Sequence, residues 1–231
     1  MSSEKSIVRN WMEIESTSPV DGVKERVLLV PKETAANRVG ASLIIIEPGK
    51  IFKPKKFQGE TFYYFLAGNG ILLWNRDNTD LPYLIENDTV GWIPGTHDYH
   101  FENTGEGPMR VYSVSCKTDA EYGMRSGSLG KMNTLTPAGR KVGDFSYSSG
   151  VRGASIIRGG GYQVFAPGKA QGLHFHDEEV IYLVRGKGTL NSGGEEHQLT
   201  AGSVAHNPSN IKHRLTNTGH DMFGYIVVEF A

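Results

Sequence analysis

The sequence predicts an all-β protein built from two similar antiparallel halves, and three observations carry that expectation. First, its apolar runs are short, rich in β-branched and aromatic residues, and bounded by Gly, Pro or Asn. They are VLLVP at 27–31, ASLIIIE at 41–47, TFYYFLA at 61–67, ILLWN at 71–75, MRVYSVS at 109–115 and VIYLV at 180–184. Second, no stretch shows a convincing amphipathic helical period, and residues 121–125 are expected to form one short turn at most. Third, turn residues recur at nearly constant separation. Gly68-Asn69-Gly70 precedes Gly186-Lys187-Gly188 by 118 positions (186 − 68), and Pro94 and Asn103 precede Pro208 and Asn217 by 114 (217 − 103). Gly49 precedes Gly168 by 119 (168 − 49), and the small drift fits insertions and deletions in loops.

Taken in order, residues 1–40 read as an extension, with a strand at 27–31 and Trp11 as a buried anchor. Residues 41–116 form the first repeat. Residues 117–150 read as the connection, with Thr134-Leu135-Thr136-Pro137 and Ser148-Ser149-Gly150 as turn signals. Residues 151–231 form the second repeat. A length of 231 residues is enough for a substantial core. The net charge of −1 carries no footprint for nucleic acid. Cys116 is the one cysteine, so no intramolecular disulfide forms. The start, MSSEKSIVRNWMEIE, lacks a signal-peptide core, and no run is long enough to span a membrane. The expected setting is the cytoplasm, the expected partner a small-molecule substrate. Exposed sheet edges and an apolar N-terminal extension predict a homodimer.

The chemistry concentrates in GKAQGLHFHDEEVIYLVRGKG, Gly168 to Gly188. His174 and His176 are one residue apart, so on a strand both imidazoles leave the same face. Glu179 opens the following strand. Two imidazoles and a carboxylate make most of a divalent-metal site, and His213 is the candidate fourth ligand from another strand. Without an ion, the same four residues would have to satisfy one another by hydrogen bonds. Ile181 and Leu183 share the face of Glu179 and are expected to wall a substrate pocket, with Gln163, Phe165 and His206 as further lining. Arg185 is inward by alternation but close to a turn. His197 and His220 sit beside turns and read as solvated.

At these residues the chain resembles the cupin superfamily. Gly168, His174, His176, Glu179 and Gly186 match its first motif; Gly202, Pro208, His213 and Asn217 match its second. Two departures occur. Only two residues separate His176 from Glu179, so Glu178 competes as ligand, although Glu179 keeps the spacing to Gly186. Asn210 replaces a glycine, and asparagine tolerates the left-handed conformation. The resemblance implies a bicupin: two tandem antiparallel β-barrels of the double-stranded β-helix, or jelly-roll, type. It implies one divalent metal per chain, Fe2+ favoured over Mn2+, Ni2+, Co2+ or Zn2+, held by His174, His176, Glu179 and His213. In the first repeat Lys55, Phe57, Thr61 and Tyr99 fill the four ligand slots, so that barrel is expected to hold no metal. It reads as a scaffold, with a second pocket lined by Lys55, Tyr63, Tyr64 and Tyr99 as the alternative. His97 and His100 read as surface or capping residues. The leading expectation is an iron-type oxygenase acting on a small organic molecule. The alternatives are a non-redox isomerase, lyase or aminohydrolase, or a binding or structural bicupin without catalysis.

Overall fold

A computed structural model of the protein describes residues 5–34, 37–76, 79–132, 139–141 and 154–231. Both turn signals of the expected connection, at 134–137 and 148–150, fall outside these residues. The strands are β1 (Ile7–Asn10), β2 (Thr17–Val20), β3 (Val23–Leu29), β4 (Val39–Ile46), β5 (Ile51–Phe52), β6 (Gly59–Ala67), β7 (Gly70–Arg76), β8 (Thr79–Ile85), β9 (Thr89–Pro94), β10 (Tyr99–Asn103), β11 (Met109–Lys117), β12 (Ser128–Lys131), β13 (Gly139–Lys141), β14 (Ile157–Phe165), β15 (Glu179–Arg185), β16 (Lys187–Ser192), β17 (Glu195–Thr200), β18 (Ser203–Asn207), β19 (His213–Asn217) and β20 (Phe223–Phe230). The described helix amounts to two 3-10 turns, Trp11–Glu13 and Pro31–Glu33, and none is long and apolar enough to cross a membrane. Residues 124–125 form only a turn.

Each half is a large antiparallel sheet facing a small one. The N-terminal half pairs β12-β9-β6-β11-β4-β3-β2 with β5-β10-β7-β8. The C-terminal half pairs β1-β18-β15-β20-β14-β13 with β17-β16-β19. Isolated bridges, Ala170 to Thr216 and His174 to His213, add the 170–174 segment to β19 as β5 is added to β10. The first forty residues are therefore more than an extension. β2 and β3 continue the N-terminal sheet, while β1 crosses to pair with β18, Ile7 opposite His206. Trp11 is half-buried rather than a core anchor; it lies against Gly202 and under the Arg26 guanidinium.

Unbroken apolar runs form central strands here because both of their faces are covered. In β6, Phe62 and Tyr64 point to one side and Tyr63 and Phe65 to the other; all four are buried. In β15, Val180 and Tyr182 oppose Ile181 and Leu183 in the same way. One face of each strand fills its own barrel, and the other packs large sheet against large sheet. Tyr112 stacks on Tyr182 across that interface with ring centroids 4.5 Å apart. Full burial of each such side chain stabilises by roughly 1.5–3 kcal/mol. The repeat extends to backbone conformation. Gly68 and Gly186 have φ of 89° and 85°, and a Cβ at either would strike the backbone of Met109 or Met222.

Candidate metal centre

Four elements meet at the mouth of the C-terminal barrel. The segment before β15 lies antiparallel to the start of β19. The His174 N–H donates to the His213 carbonyl at 3.2 Å, and the His213 N–H to the His174 carbonyl at 2.8 Å. This pairing puts the two imidazole centroids 4.5 Å apart, and His176 lies 4.8 Å from His213 and 5.3 Å from His174. A turn at Pro208–Asn210 supports the arrangement: Asn210 takes φ 63° and donates its N–H to the His176 carbonyl at 2.8 Å.

Ring orientation decides what the cluster can bind. The Nδ1 atoms of His174, His176 and His213 lie 2.8, 2.7 and 2.8 Å from the carbonyls of Gly172, Asp177 and Ile211. A carbonyl only accepts, so each Nδ1 carries the proton and each Nε2 is left for another partner. Their ligating nitrogens lie within 4.8 Å of one another. Glu179, buried at the first position of β15, brings its carboxylate to 3.3 Å from His176 Nε2 and 3.1 Å from His213 Nε2. The buried His213 Nε2 nevertheless makes no aligned hydrogen bond. An ion held beside the carboxylate would give this buried nitrogen a partner. Asn207, fully buried on β18, donates to Glu179 Oε1 at 2.7 Å and orients it. Three neutral imidazoles with fixed tautomers and one oriented carboxylate fit a divalent ion.

The same closeness shifts proton affinities in the metal-free cluster. Its hydrogen bond to Glu179 pushes His176 up to about 9 against the pull of burial. His213 is lowered by burial but raised on balance by the Glu179 carboxylate. Burial would raise Glu179, yet the two imidazoles hold it well below the usual carboxylate range.

The competitor ligand faces elsewhere. Glu178 is buried on the opposite side of the chain, against the N-terminal half. Its Oε1 lies 2.7 Å from His206 Nε2, and Arg38 reaches Oε2 at 3.3 Å. His206 sits directly opposite Val180 and shares its face, so the expected pocket-lining role of His206 is corrected: it belongs to the interface between the halves. Ile181 and Leu183 do face the interior. Gln163 is also inward, but accepts from Tyr225 Oη at 2.6 Å, two inner layers below Glu179. Phe165 lies opposite Phe223, six residues along β20 from Glu229, about 20 Å away by strand rise, so it packs the far end of the barrel and not the ion's surroundings.

Two polar groups escaped the sequence reading. Glu229 pairs directly with Glu179, and its carboxylate, the Glu179 carboxylate and a His176 ring nitrogen offer ligand atoms within 4.8 Å of one another. Gln171 donates to Tyr225 Oη at 2.7 Å and its side-chain oxygen accepts from the Leu215 N–H at 3.2 Å. The register of the repeat would have exposed Glu229, since it stands opposite Glu179 only once β20 is aligned with β15.

In the N-terminal barrel, Thr61 pairs with Ser115 as Glu179 pairs with Glu229. Tyr63 lies inside that barrel, hydrogen-bonded to the buried Tyr99 at 2.7 Å. Tyr64 points to the other face, toward Asp88, so it lines no pocket with Tyr63. His97 is structural: it accepts from Trp74 Nε1 at 3.1 Å.

Comparison with known proteins agrees with this architecture. Residues 161–229 match a family model described as a cupin domain. Auxin-binding protein 1 of Arabidopsis thaliana is 37% identical over 76 residues, covering 29% of this chain and 38% of that protein. The oxalate-binding protein of Thermotoga maritima is 31% identical over 64 residues, covering 27% of this chain and 53% of that one. The chain thus spans about half or less of these relatives. Among solved structures, the oxalate decarboxylase of Bacillus subtilis, described with Mn(II) centres, superposes with a TM-score of 0.77 at 12% identity, over 99% of this chain and 78% of its own. Residues 161–229 therefore match the cupin domain family, and the chain as a whole has the fold of this structural neighbour, with its histidine-carboxylate cluster in the second barrel.

Proposed function

We propose that this protein is a metal-dependent enzyme acting on a small carboxylate-bearing molecule at the mouth of its C-terminal barrel. The observation that carries the proposal is the set of three Nδ1–H···O=C hydrogen bonds, which leave three Nε2 atoms converging beside the Glu179 carboxylate. His174, His176, Glu179 and His213 would hold the ion, which supplies Lewis-acid or redox chemistry according to its identity. Asn207 keeps Glu179 in place, and Ile181 closes the floor with apolar surface. The oxalate in the names of two relatives supports a short carboxylate as substrate class.

Glu229 favours proton transfer over oxygenation. It places a second carboxylate beside Glu179 and His176, where it can take a proton from a bound substrate or return one. The iron-type oxygenase reading shares the same ligands and differs in consuming oxygen. The experiment is metal analysis of protein purified without chelator, followed by incubation with short 2-oxo and dicarboxylic acids in deuterium oxide. Deuterium entering substrate carbon without oxygen uptake supports the proton-transfer reading. Oxygen uptake supports the oxygenase. Absence of bound metal, or no turnover of any acid, counts against an enzyme at this site.

A further inference from the structure

The N-terminal barrel has a cavity at the place where the C-terminal barrel has its ligand cluster. Thr61 and Ser115 take the paired positions of Glu179 and Glu229, so hydroxyls replace carboxylates. The cavity measures about 340 Å³, and Glu25, Ser42, Lys55, Thr61, Tyr63 and Ser113 are among its lining residues. That volume suits a small organic molecule.

Two charges in it lack ion-pair partners among the described residues. Lys53 and Lys56 both pair with Asp98, at 2.8 and 3.7 Å, but Lys55 has no ion pair among the described residues. Glu25 enters the cavity from β3, half-buried, and its carboxylate accepts no hydrogen bond from any described residue. Lys55 and Glu25 do not approach within the 4.0 Å of an ion pair. Lys55, exposed, and Glu25, half-buried, present an unpaired cation and an unpaired anion to one cavity, and a single ligand carrying both charges can pair with both. The Ser42, Thr61 and Ser113 hydroxyls of the same lining can donate or accept.

We propose that this cavity binds a small zwitterion, an α-amino acid with a short side chain, its carboxylate on Lys55 and its ammonium on Glu25. The site is independent of the metal centre and does not rest on the function proposed for it. Calorimetric titration of the full chain with glycine, alanine and serine tests it, alongside ethanolamine, which lacks the carboxylate, and glycolate, which lacks the ammonium. One equivalent of amino acid is expected to bind, at least about 10-fold more tightly than either single-charge analogue. Lys55→Met and Glu25→Gln should each weaken binding by about 10-fold or more, with metal content unchanged. Binding should persist in His176→Ala, which disables the other barrel. The proposal is overturned if none of the three amino acids binds at about 10 mM. It is equally overturned if the analogues bind as well as the amino acids, or if binding is lost in His176→Ala and kept in Lys55→Met.

Discussion

Adjacent glutamates with opposite orientations make the sharpest test of the metal centre. Glu178→Gln and Glu179→Gln each remove one charge from neighbouring positions at the start of β15, so their effects separate by direction alone. Glu179 lies 3.1–3.3 Å from two imidazole nitrogens and, in the proposed metal centre, would supply an anionic ligand. Losing it should lower metal affinity by more than the ~10–100-fold typical of a residue that only supports a ligand. Glu178 touches His206 and Arg38 instead, and its side chain is 2% exposed. A glutamine there keeps one acceptor but leaves part of that buried network unpaired, costing about 1–3 kcal/mol. For a chain of this size that is about 2–4 °C of melting temperature per kcal/mol. Competitive titration with a chromophoric chelator reads affinity, and thermal denaturation of the metal-free proteins reads stability. Glu179→Gln is expected to lose metal, and Glu178→Gln to lose stability with metal retained. If Glu178→Gln loses the metal while Glu179→Gln keeps it, the assignment of ligand and interface is reversed.

Four further outcomes follow from the same geometry. In the metal-free protein His176 titrates at about 9, above its unfolded value near 6.5, so its stabilising pair with Glu179 is complete below pH 6.5 and lost as pH rises through about 9; melting temperature without metal should fall over that window. Metal must displace the same proton, so calorimetry in buffers of different ionisation enthalpy should show proton release on binding near pH 7 and little above 9. Glu60, fully buried, accepts the backbone N–H groups of Ser155, Ile156 and Ile157 and the Tyr122 hydroxyl; Glu60→Ala should cost about 3 kcal/mol or more in chemical denaturation, and an unchanged midpoint would remove its role in joining the halves. Exposed Leu173 and Phe175 beside the cluster add to the case for the proposed homodimer, which a sedimentation mass of 25.4 kDa at micromolar concentration would exclude.

The sequence by itself determined the strand content, the two-fold repeat and the three histidines and one glutamate that the fold brings together. Those features are local or periodic: alternating or doubly apolar runs, glycines at positions where a side chain cannot fit, and imidazoles spaced for one face of a strand. The recurrence of Gly68 at Gly186 and of Asn103 at Asn217 was enough to align the halves. Tertiary structure alone decided what depends on register and on which sheet face meets which neighbour. Glu178 and Glu179 are indistinguishable by residue type, and only the packing of one large sheet on the other turns the first toward Arg38 and the second toward the histidines. His206 lies one residue from a face that would have reached the pocket, and a single step along a strand reverses every side chain. Glu229 enters the site from 50 residues beyond Glu179 because β20 runs beside β15. The crossing of β1 to β18 had no signal at all, since a strand's partner is chosen by the three-dimensional course of the chain and not by its own residues.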